Sequence, residues 1–224
     1  MKPRQFRWLF LGALTAFFVQ AFSFGPSNFG ASINWSDGRY VFAGGTTPWA
    51  LAIAAFIIAL YFVLMYTPPS QGAAPLLGLL PRLIAFFLDF TLAMCAIGSL
   101  LGIFPALTEW RRTGIFAWNL ERTSPAPGDA ILVGSLTAVA FIALVFYFVW
   151  PLIRRRPTPG SCIAGYLVVP EDGITMTATR AVGRVFLGMY AAGFWIVAPF
   201  IARDPQRGKF WLDRVFRTKA VKLN

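Results

Sequence analysis

Arg82 and Asp89 stand seven residues apart in a stretch, 82–107, that is otherwise apolar. On a helix that spacing puts both on one face, two turns apart, with Ala85 on the same stripe. An unpaired charge near a bilayer centre costs about 2.5–3.5 kcal/mol on insertion scales, so such a residue faces protein or finds a partner. Arg82, at the helix start, can snorkel to the interface. Asp89 lies two turns deeper and cannot. It is open to two chemistries: binding a proton or cation, or pinning helix packing through an Arg partner.

A second constellation is Arg154-Arg155-Arg156, then Thr158-Pro159-Gly160-Ser161, then Gly165 through Val169 and Glu171-Asp172-Gly173. The Arg triplet reads as a stop-transfer signal that also touches anionic lipid headgroups, at about 1 kcal/mol per charge. Thr158-Pro159-Gly160 breaks the helix but lacks the spacing of a phosphate-cradling loop. Residues 166–169 read as a short strand and Glu171-Asp172-Gly173 as a tight turn, together a small cytoplasmic hairpin. A third constellation, Asp213-Arg214 with Thr218 and Val221, lies in a basic tail. The chain has no His, which excludes His-based acid–base chemistry and His-ligated metals. Cys95, in an apolar run, and Cys162, in a basic loop, make neither a disulfide framework nor a metal site. Glu109 and Glu121, among Arg neighbours, read as a solvated, salt-bridged loop. With no nucleophile–base pair to name, no enzyme, cofactor or metal is expected.

The elements that must carry these residues are membrane helices. Of 224 residues 57% are hydrophobic and 13% charged, against about a quarter charged in soluble domains. The charge of +11 does not indicate nucleic acid, because most Lys and Arg flank apolar runs instead of forming an aqueous face. Four runs, 8–24, 48–67, 82–107 and 130–153, are long enough to span. The first reads as an uncleaved helix, since bulky residues around Gln20-Ala21-Phe22 spoil a small-x-small cleavage site. A polar loop, 25–47, and a Pro-rich linker, 68–81, follow the first two runs. A fifth run, 181–201, is punctuated by Gly183, Gly188, Gly193 and Pro199 and contains Arg184.

Lys and Arg counts set the orientation. With the N-terminus inside and four full crossings, the cytoplasmic loops carry nine basic residues and the outer loops four. Seven more follow the fifth run. If it crosses, outside exceeds inside by eleven to nine; if it returns, inside holds sixteen to four. The expected fold is therefore an all-α polytopic protein of a bacterial inner (cytoplasmic) membrane. It has four transmembrane helices, a fifth re-entrant or broken segment, a small cytoplasmic β-hairpin-like loop, and both termini in the cytoplasm.

In order and spacing, these pieces resemble the RDD family of bacterial membrane proteins. The family's Arg-x-x-Ala-x-x-x-Asp motif is met by Arg82, Ala85 and Asp89. Its Thr-Pro-Gly-Lys loop, with a later Gly, Val pair and Gly turn, is met by Thr158, Pro159, Gly160, Gly165, Val168, Val169 and Gly173, with Ser161 replacing Lys. Arg184, or else Arg180, matches the Arg opening the last apolar segment. The closing His-Asp with a Thr five residues on is met by Asp213 and Thr218, with Leu212 replacing His. The resemblance covers about 78–224 and leaves 1–77 as an added N-terminal hairpin and linker. It implies a charged cluster of Arg82, Asp89, Arg184 and Asp213, and a transport role such as cation/proton antiport or small-solute movement. The alternative is a non-catalytic accessory or assembly subunit whose charges are structural ties. Either role implies the lipid bilayer as surroundings and, as partners, further copies of the chain or other membrane proteins.

Overall fold

The computed structural model describes residues 3–23, 30–36, 38–68, 79–173, 175–193 and 211–223. The described chain is mostly helical. Long apolar runs give α1 (Pro3–Ser23), α2 (Pro48–Tyr66), α3 (Leu79–Leu101) and α5 (Asp129–Arg154). The shorter helices are α4 (Ile103–Thr113), α6 (Pro159–Ala164), α7 (Ala178–Gly193) and α8 (Trp211–Val215). Among the described residues four stretches are long and apolar enough to cross a membrane: Gln5–Ser23, Pro48–Tyr66, Leu80–Thr113 and Asp129–Arg154. The third joins α3 to α4 through Gly102, where a Cβ would strike the Gly45 carbonyl, so only glycine permits the approach.

The fold is not all-α, because it also holds two small sheets. Strands β1 (Gly30–Ser36), β2 (Arg39–Gly45) and β3 (Asn119–Arg122) form an antiparallel sheet in that order. The expected polar loop is thus a hairpin, with Ser36 opposite Arg39 and Gly38 turning at φ 75°. Strand β4 (Tyr166–Pro170) exists as read, but the hairpin does not. Its antiparallel partner is β5 (Thr218–Lys222), from the basic tail, with Tyr166 opposite Lys222 and Pro170 opposite Thr218. A strand needs a partner for its backbone groups, and the segment after the Glu171-Asp172-Gly173 turn enters α7 instead of returning.

Contacts divide the chain into two compact units. The first comprises Met1–Phe10, Leu60–Thr91 and Val145–Asn224. Within it Phe86 stacks on Phe148 at 5.9 Å, and the Tyr61 hydroxyl donates to the Tyr147 carbonyl at 2.9 Å. Arg7 Nε donates to the Cys162 carbonyl at 2.7 Å. Leu167, Val169, Val221 and Leu223 form the apolar core of the β4–β5 pair. The second unit comprises Leu11–Ala59 and Leu92–Leu144. Here Gly44 admits Pro105 of α4 against the sheet, and Arg122 bonds Asp129 at 2.7 Å while its guanidinium lies over Phe42. Glu109 lies on α4, where it pairs with Arg112, and Glu121 on β3. These residues belong to regular elements, not to a loop.

Of the fifth run, α7 is the described part; at 16 residues it falls outside the four long apolar stretches. Residues 194–210 lie outside the described residues, as do 69–78 of the Pro-rich linker.

Candidate functional site

Asp89 is buried in the first unit, 3% exposed. Three uncharged donors hold its carboxylate. Thr158 Oγ1 donates to Oδ2 at 2.5 Å; Tyr147 Oη and the Gly160 N–H donate to Oδ1 at 2.8 and 2.7 Å. Among the described residues no ion pair reaches it.

The local sequence explains this geometry. Thr158 is the N-cap of α6: its hydroxyl accepts the Ser161 N–H at 3.2 Å while donating to Asp89. Pro159 fills the first helical position, where no N–H is needed. Gly160 must lack a side chain, because a Cβ would strike the Ala85 carbonyl and come within 2.8 Å of the Asp89 carboxylate. Ala85, itself buried, keeps α3 slim enough for this approach. Two of the motifs read from the sequence are therefore the two halves of one contact.

Arg82 does not pair with Asp89. Its Nη1 lies 2.5 Å from Asp213 Oδ2, and Arg184 Nη2 lies 2.8 Å from Asp213 Oδ1. Thr218 completes the group, accepting from Arg184 Nη1 at 2.9 Å and donating to Asp213 Oδ1 at 3.1 Å. Asp213 and Thr218 are fully buried. The expected four-residue cluster thus resolves into an Arg82–Asp213–Arg184 triad and a separately held Asp89. The geometry also separates Arg184 from Arg180, which donates to the Phe216 and Arg217 carbonyls at the end of α8.

The triplet is held by protein partners. Arg154 lies over the Trp150 ring, Arg155 donates to the Gly173 carbonyl, and Arg156 Nε donates to the Met65 carbonyl at 3.0 Å.

A cavity of about 190 Å³ lies within the first unit. Arg82, Asp89, Arg156, Thr158, Tyr166 and Arg184 are its polar wall; Phe86, Phe148, Leu152, Val185 and Met189 form much of the rest. Ser161 and Leu212, the two positions that depart from the motifs, both line it. Burial, with the Asp89 charge second to it, pushes the Tyr166 phenol well above its ordinary range, so it stays a neutral donor. Tyr147 and Tyr166 were not singled out from the sequence. A lone hydroxyl inside an apolar run, as at Tyr147, is the available signal, since a buried Tyr seeks a partner.

A family model described as the RDD family matches residues 76–216. Comparison with curated proteins and with solved structures returns no match.

Proposed function

The chain belongs to the RDD family, a family of membrane proteins, and from that premise we propose a small transporter, or a subunit of one, in which Asp89 takes up and releases a proton or cation. The observation that carries this reading is the state of Asp89. A buried carboxylate without an Arg counter-charge, on a cavity wall, is free to exchange its charge partner. A purely structural carboxylate would be expected to sit in the Arg–Asp–Arg triad, and Asp213 fills that role instead.

The proposal includes no catalytic step, cofactor or resident metal. It takes the membrane to be a bacterial inner membrane with both termini cytoplasmic. Arg184 on α7 touches Asp213 on α8, so the two ends of the intervening segment meet, which supports a segment that returns. Headgroup contact by Arg154, the exposed member of the triplet, fits this orientation. Four spans enclose little volume, so further copies of the chain, or a partner, complete the path.

The test is proton movement in proteoliposomes with a trapped pH dye on addition of Na⁺, K⁺ or Li⁺. Flux that falls to the level of empty liposomes in folded Asp89→Asn supports the reading. No flux in the wild type overturns cation/proton exchange. The second reading, an accessory subunit, draws on the closed bonding of Arg184, Asp213 and Thr218, which ties α7, α8 and β5 together whatever Asp89 does.

A further inference from the structure

Arg156 is anchored in an unusual way for a residue ending a basic triplet. Its Nε is spent on the Met65 carbonyl, which fixes the guanidinium plane. Its two amino groups have no hydrogen-bond partner among the described residues, and the side chain lines the cavity. The Tyr166 hydroxyl, on a residue 7% exposed, also lines the cavity and also has no hydrogen-bond partner among the described residues. Around the cavity, three guanidiniums (Arg82, Arg156, Arg184) face two carboxylates (Asp89 and, behind Arg82 and Arg184, Asp213), leaving one positive charge over. Apart from Thr158 and Ser161, the remaining wall is apolar, with Phe86, Phe148, Leu152 and Met189 in it.

We propose that this cavity seats the singly charged phosphate headgroup of an amphiphile, with Arg156 and Tyr166 as its donors and the apolar wall taking the first methylenes of its chain. A fixed guanidinium fork matches phosphate oxygens in pairs. With Asp89 ionised, the excess of one positive charge matches one negative charge. The volume decides the extent: about 190 Å³ is smaller than the roughly 300–1,000 Å³ of sites for drug-sized ligands, enough for a headgroup and not for two acyl chains. The chains would extend beyond the cavity into lipid. The inference goes beyond transport and does not depend on Asp89 exchanging protons.

The experiment is thermal unfolding of the full chain in detergent with added phosphatidylglycerol, phosphatidylcholine or inorganic phosphate. Phosphatidylglycerol is expected to raise Tm and phosphatidylcholine not to. Arg156→Gln should weaken the phosphatidylglycerol effect by about tenfold in concentration, the scale of one charge-assisted hydrogen bond, whereas Arg154→Gln should not. Gly188→Leu supplies a variant that leaves the charges alone. Gly188 lines the cavity and has no atom within 4 Å of where a Cβ would go, so leucine is tolerated at its Cβ and takes up space at the cavity wall. Loss of the shift in Gly188→Leu supports the site even if Arg156→Gln does not fold. A shift with inorganic phosphate alone keeps the anion site and assigns it to a soluble ligand instead of a lipid. Equal shifts with both lipids, or a phosphatidylglycerol shift that survives Gly188→Leu, would overturn the proposal. Flux through Asp89 can fail while these shifts persist, so the two proposals fall separately.

Discussion

Gly160 tests the Asp89 contact most directly. Gly160→Ala pushes a methyl against the Ala85 carbonyl and the Asp89 carboxylate, and overpacking of this kind costs about 1–3 kcal/mol. Gly134→Ala, in α5 with open space at the Cβ, should be neutral or gain about 0.5–1 kcal/mol. Thermal unfolding followed by Trp fluorescence separates the pair. Asp89→Asn, for its part, leaves one of three donors facing an amide N–H, a loss of about 1–3 kcal/mol, so its Tm must accompany any flux measurement. Cys162 offers a pH readout outside the spans. Burial raises its thiol to about 11, with Arg7 only partly offsetting this. Thiolate is the reactive form, so Cys162 alkylation in the folded Cys95→Ala protein should be slow at pH 8. It should quicken about tenfold per pH unit up to about 11, the mark of a single titrating thiolate. A rate already flat by pH 9 would show that the thiol reacts in an opened form with its ordinary pKa of about 8.5 and not in the folded one. Much of this site was legible: Asp89 inside an apolar run had to face protein, and the Thr-Pro-Gly loop stood out. Its partners were not, because hydrogen-bond donors such as Tyr147 and a backbone N–H carry no charge for the sequence to advertise.

Elements were legible in proportion to how local their determinants are. The four long helices follow from hydropathy alone. The β1–β2 hairpin had a local signal, the Asp37-Gly38 dipeptide favoured in two-residue turns, which the polarity of 25–47 obscured. Strand β4 could be read but its partner could not, since β5 lies some fifty residues on, in a tail whose Lys and Arg suggest solvent. Burial on both faces resolves the contradiction: Ala220 packs with Ala85 and Tyr166, and its neighbour Val221 with Leu167 and Val169, while Lys219 and Lys222 are exposed. This makes a sharp prediction from adjacent residues. Val221→Asp should cost at least about 2 kcal/mol through lost burial and an uncompensated charge. Lys222→Asp should stay within about 0.5 kcal/mol of wild type. Equal effects on Tm would mean that 218–222 is not a paired strand.

The two units carry very different charge. The sequence ranges of the first hold sixteen Lys and Arg, those of the second four. These are the same totals that the positive-inside count gives when the fifth run returns to its starting side, although the units come from contacts and the count from sequence. The orientation proposed above, with both termini cytoplasmic, puts Glu171 on the cytoplasmic side and Arg39 on the outer side. In a background with Cys95 and Cys162 replaced by Ala, Arg39→Cys and Glu171→Cys place single thiols at exposed positions, one in each unit. A membrane-impermeant maleimide added to intact cells should label Arg39→Cys and leave Glu171→Cys unlabelled until the membrane is opened. The reverse pattern would invert the protein. Labelling of a Cys at Lys219 from outside, with Glu171→Cys protected, is excluded by the β4–β5 pairing, since Lys219 lies opposite Val169 two residues before Glu171. The pairing thus converts the side of the tail, which sequence leaves to a charge count, into a consequence of hydrogen bonding.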